Sequence, residues 1–160
     1  MLIFASGCIF SPKPVNRPLD VWAFRSVLDL QPRMLTVALD TECYIAYDVA
    51  QCKLYKVWKG GVLLEGAPYT GKKEIQPSSW GKAYFIDTVH KEKRSVELNG
   101  KDIFSAALYR GYVLKNNQIF LKFALALTTQ DTILVEERPE VLYNNDKIGL
   151  ERLFTTSNVP

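Results

Sequence analysis

Residues 119–127 read Ile119-Phe120-Leu121-Lys122-Phe123-Ala124-Leu125-Ala126-Leu127. Ile119, Leu121, Phe123, Leu125 and Leu127 alternate with milder residues. Successive side chains of an extended strand point to opposite faces, so this alternation sets one apolar face against a second, milder one. It is the clearest period of two in the chain, and it predicts a strand with one face turned to a core.

The same signature recurs on both sides. Asn116-Asn117 turns the chain before it, and Asp102 to Leu114 reads as a long strand or a broken pair with a bulge at Arg110-Gly111-Tyr112. Asn99-Gly100 is a strong hairpin signal, because a tight primed turn needs two residues that tolerate positive φ. Beyond the alternating stretch, Thr132 to Arg138 is a strand, Pro139 to Lys147 a polar loop, and Ile148 to Thr156 a last strand. Upstream, Trp22–Leu28, Arg33–Leu39, Cys43–Asp48, Lys53–Trp58, a short Val62–Glu65, Lys82–Asp87 and Arg94–Leu98 read as strands. Residues 66–80 are the longest irregular stretch. Turn signals every 8–12 residues or so are the spacing of a sandwich or barrel. The expectation is an all-β, antiparallel β-sandwich of about ten strands. Ala106-Ala107-Leu108 is the only weak helical candidate, and no internal repeat supports a propeller.

The chain has 160 residues, the size of one domain, with 48% hydrophobic and 23% charged residues, an ordinary globular balance. Twenty basic against seventeen acidic residues give a net charge of +3, too even for a nucleic-acid footprint. Lys91-Glu92-Lys93-Arg94 is broken by a glutamate and reads as a solvated loop. No apolar run reaches the roughly 18 residues a membrane-spanning helix needs.

The start is Met1-Leu2-Ile3-Phe4-Ala5-Ser6-Gly7-Cys8. Phe4 to Cys8 resembles the box that precedes the lipidated cysteine of a bacterial lipoprotein, with Ala5 where leucine is usual. What precedes it is shorter than a signal segment and has no basic residue. Residues 1–8 are therefore read as a truncated leader with Cys8 as lipidation site, the alternative being an incidental cysteine. Pro12, Pro14 and Pro18 make residues 9–20 a stiff extended tether. The folded domain is expected at 21–156, and the polar exit at 157–160 is read as the start of a linker to a further domain.

Residues able to carry chemistry are few. Cys43 and Cys52 flank a predicted hairpin turn at Asp48–Gln51, which would set Tyr47 against Cys52 and Cys43 against Lys56, too far out of register for a disulfide. They are read as two buried free thiols. His90, the single histidine, lacks a partner at metal or triad spacing and is read as a loop residue. No metal site is expected. Glu136, Glu137 and Glu151 are the candidate catalytic carboxylates, the alternative being cross-strand ion pairs with Arg138 and Arg152. Trp58, Tyr69 and Trp80, beside glycines and the long loop, are the candidate ligand-binding aromatics, able to stack on a sugar ring. The alternative reading has the two tryptophans capping the core.

Residues 22–62 also carry a resemblance, through Tyr47-Asp48, Leu54-Tyr55-Lys56 and Trp58-Lys59-Gly60-Gly61. Ile75 to Ser79, Tyr109 to Tyr112, Val135 to Pro139 and Glu151 to Phe154 extend it. In these the chain resembles the N-terminal β-domain of large bacterial envelope proteins that carry c-type cytochrome and sugar-dehydrogenase-like domains. The resemblance implies a supersandwich-like accessory module, at the membrane surface of the bacterial envelope, with haem c only in a further domain of the same polypeptide. No Cys-x-x-Cys-His segment is present to hold haem here. The function expected is a non-catalytic module that binds carbohydrate or docks neighbouring domains. A mutarotase- or glycosidase-like domain using the late carboxylates, and a scaffold without ligand, are the alternatives.

Overall fold

The computed structural model describes residues 20–70, 72–87, 95–98, 101–104, 106–126, 132–145 and 147–157. Cys8, most of the 9–20 tether and His90 lie outside them, as does Asn99-Gly100. The described residues form strands and turns without a helix. The strands are β1 (Trp22–Leu28), β2 (Gln31–Ala38), β3 (Tyr44–Asp48), β4 (Lys53–Leu63), β5 (Ser78–Ile86), β6 (Ser95–Leu98), β7 (Lys101–Phe104), β8 (Ala106–Lys115), β9 (Gln118–Ala126), β10 (Thr132–Asn144) and β11 (Lys147–Thr156).

They pair as an antiparallel meander of five, β1-β2-β3-β4-β5, and a second of four in the order β11-β10-β9-β8. The layers therefore hold nine strands rather than about ten, and neither closes into a barrel. β6 and β7 pair only with each other, as a separate ribbon. Two of the predicted pieces merge into their neighbours. The first half of the Val62–Glu65 strand is the far end of β4, and most of the Pro139–Lys147 loop is the continuation of β10. Pro139 is tolerated there because β10 has left β9 at Glu137↔Leu121 and keeps only β11 beside it. Ala106–Leu108, the weak helical candidate, is strand in β8, where it pairs with β9.

The alternating stretch lies on β9 and does what its pattern predicts. Ile119, Leu121 and Phe123 join Leu35, Val37, Ile45, Tyr47 and Val57 of the first sheet in the core between the layers. The first sheet is apolar on its other face too. Leu28, Met34, Ala38, Tyr44, Trp58 and Val62 form a second cluster there, with Trp22 and Phe24 packed on it. That face is covered because the sheet curls. Gly60 and Gly81 sit opposite each other at φ 135° and 105°, and a Cβ on either would collide with the facing backbone. The loop after β4 then returns to the first strand, where Val27 N–H donates to Pro68 O at 2.6 Å and Asp29 N–H to Pro77 O at 3.2 Å.

The β3–β4 hairpin departs from its expected register. The Asp48 carboxylate accepts from the Ala50 and Gln51 N–H groups at 2.9 and 3.1 Å and holds the turn. Asp48 faces Lys53 and Tyr47 faces Leu54, after which a bulge at Tyr55 resets the pairing to Ala46↔Lys56. Cys52 belongs to the turn rather than to the ladder, and both cysteines are buried and outside any disulfide among the described residues.

Candidate functional site

The two sides of the sandwich differ. On the β1/β8 side the layers meet: Asn117 Oδ1 accepts from Val21 N–H at 2.6 Å, and the Arg25 guanidinium lies 5.8 Å over the Tyr109 ring. On the other side β5 and β11 do not pair. A cleft of about 380 Å³ opens between them. Leu54, Val57, Tyr84 and Phe85 form one wall, and Ile148 and Leu150 the other. Tyr84, Phe85 and Ile86 stand in succession on the free strand and are each more than 40% exposed.

Arg152 and Cys43 complete the lining, and Arg152 belongs to a cluster that ties the layers together. Its Nε and Nη2 donate to the two oxygens of Glu137 at 2.6 and 2.9 Å, and the Tyr47 hydroxyl donates to Oε1 at 2.5 Å. Glu137 is 1% exposed, so its charge depends on these donors. Burial opposes the charge on Arg152, but the carboxylate outweighs it and raises the guanidinium's pKa. Burial and the same carboxylate hold the Tyr47 phenol well above its ordinary pKa. Arg152 also lies 5.0 Å over Phe154. Cys43, pushed up to about 11 by burial and the nearby Asp40, presents a thiol rather than a thiolate.

The three candidate carboxylates do not converge. Glu137 points inward and is neutralised where it stands. Glu136 points outward between Lys122 and Thr155, and Glu151 outward opposite Glu140. The cross-strand ion-pair alternative describes Glu137 with Arg152, whereas Arg138 Nε pairs at 2.9 Å with Glu140 of its own strand. The aromatic candidates separate as well. Trp58 is fully buried, stacked on Tyr44 at 5.4 Å, with its indole N–H donating to Gly61 O at 3.0 Å. Trp80 is half-buried with its ring against Gly61 on the opposite face of the hairpin. Tyr69 is 85% exposed on the loop. Among the described residues no group of His, Cys, Asp and Glu is placed to hold a metal ion. They include no helix long and apolar enough to cross a membrane.

A second polar cluster had no sequence signal. Asp29, in the β1–β2 turn, accepts from Ser79 N–H and Ser79 Oγ, both at 2.7 Å, and from Lys56 Nζ at 2.9 Å. The serine hydroxyl also receives Lys56 Nζ at 2.5 Å, so every polar atom of the group is engaged in tying the β4–β5 hairpin to the first turn. The cleft itself was half visible: Tyr84-Phe85-Ile86 breaks strand alternation with consecutive large apolar residues, which an ordinary edge strand avoids. Compared with protein-family models, curated proteins and solved structures, the chain matches none.

Proposed function

We propose that the chain is a non-catalytic binding module whose ligand surface is the cleft between β5 and β11. The observation that carries this is the combination of an unclosed side with an apolar lining that stays exposed. Contiguous exposed apolar surface on a folded domain marks an interaction site more often than a scattered surface leucine does. Acid–base chemistry is disfavoured because Glu137 is committed to Arg152 and Tyr47, while Glu136 and Glu151 face away from the cleft. The resemblance of residues 22–62 extends the proposal to a supersandwich-like accessory module of a lipid-anchored envelope protein of sugar oxidation and electron transfer. The cleft lining favours an apolar ligand or a docking segment over a free sugar.

Titration with 1-anilinonaphthalene-8-sulfonate tests the cleft. Saturable binding that is lost in Tyr84→Ser/Phe85→Ser, with the circular-dichroism spectrum unchanged, is the expected result. Binding that is unaffected by that double substitution removes the cleft as the ligand surface.

A further inference from the structure

The two sheets have four edge strands, and three of these are blunted. β1 donates its Val27 N–H to the returning loop, and Val21 just before it donates to the Asn117 side chain. β8 is broken by a register shift at Gly111, which sits at φ 120°. β5 carries both the Gly81 bend and a shift against β4. Bulges, bends and covering loops are how sheets avoid pairing with other chains.

β11 has none of these. It runs ten residues without proline, in unbroken register with β10 from Asn144↔Lys147 to Val135↔Thr156, and among the described residues pairs with nothing else. Leu150 and Arg152 point inward, into the cleft. On the outward face Glu151 stands directly opposite Glu140, and like charges directly opposite are unfavourable. Glu140 is relieved by Arg138 and by Gln118 Nε2 at 2.9 Å. Among the described residues nothing pairs with Glu151.

We propose that the free edge of β11 takes an added strand from a protein partner: an extended segment with apolar side chains at alternate positions and a lysine or arginine between two of them. Main-chain bonds to β11 would seat it, as in strand addition generally. The apolar side chains would then enter the cleft beside Leu150 and Phe85, and the cation would face Glu151 from the next strand. The proposal rests on the cleft being the docking surface and adds the occupant.

The probe is a short peptide alternating valine and threonine with one central lysine, titrated into the isotopically labelled full chain. Expected are shifts of the β11 amides, slowed hydrogen exchange along Lys147–Thr156, and loss of binding when alternate peptide amides are N-methylated. A central glutamate should weaken binding about five-fold, the size of a favourable cross-strand charge pair replaced by a like-charge one. Glu151→Lys, a surface change, should reverse that preference. Equal binding of the N-methylated peptide, shifts confined to another edge, or an unreversed preference overturns strand addition. If the fluorescent dye still binds through Tyr84 and Phe85 while the peptide does not, strand addition fails and the docking cleft stands. If neither binds, both fail.

Discussion

The two sheets solve the burial problem in opposite ways. The first is apolar on both faces and curls, so that its own hairpin and returning loop cover the side that the second sheet does not reach. The second stays open and commits one face: Ile119, Leu121 and Phe123 point inward, while Leu134 and Leu142 on the other face remain about half exposed. Curling demands glycine where backbones touch and a polar tie to hold the ends together, which Gly60, Gly81 and the Asp29–Lys56–Ser79 cluster supply. A sheet with one committed face needs only alternation. The difference locates stability in the first sheet and in the joint between the two, and leaves the outer face of the second tolerant of change.

The largest test of that division is at the joint. Glu137→Ala strands the half-buried Arg152 guanidinium and the buried Tyr47 hydroxyl, and should cost about 3–5 kcal/mol in urea unfolding. Trp58→Ala, on the covered face of the first sheet, should cost a similar ~3–5 kcal/mol through lost packing and the cavity left behind. If Trp58→Ala proves nearly neutral, that face is not a second core. Asp29→Ala should cost about 1–3 kcal/mol by leaving the Ser79 N–H without its acceptor and Lys56 without its carboxylate. It should also speed hydrogen exchange at Val27 and Asp29 ahead of the rest of the first sheet.

The joint also has a pH signature. The Tyr47 phenol is raised above its ordinary value of 10.0, so the folded state holds it protonated. Its contribution is complete below pH 10 and is lost as pH climbs toward the folded value, because the unfolded chain releases that proton first. The stability of the wild-type chain should therefore fall on the alkaline limb, and Tyr47→Phe should flatten that limb while lowering stability at neutral pH. The smallest effect is expected on the outer face of the second sheet. Leu134→Thr should change stability by no more than about 0.5 kcal/mol. A larger loss would mean that this face is covered too.

What was legible in the chain follows from how local each feature is. Alternation is a property of neighbouring residues, and along Ile119–Phe123 it placed β9 and its inward face correctly, Leu127 lying outside the described residues. A turn after Asp48 was visible for the same reason, since a carboxylate there can bond to amides two and three residues on, but it stands at Val49–Cys52, one residue later than expected. The Tyr55 bulge was not, because a register shift is decided by which of two faces each strand can bury. Glu137 stood out as a candidate only by residue type. Its fate as a buried anchor depends on Tyr47, ninety residues away in sequence. Trp58 beside two glycines suggested an exposed platform as readily as a core cap, and the curl of the sheet chose the cap.

By itself, then, the order of residues determined that the described part of this chain is β, where most of its strands begin, and which side of its clearest strands turns inward, because those depend on the two-residue period and on turn chemistry within a few bonds. The tertiary structure alone decided how many strands each layer holds, which carboxylate is neutralised, and that one side of the sandwich stays open. Those outcomes are settled by contacts between distant segments, whose energies no local pattern encodes.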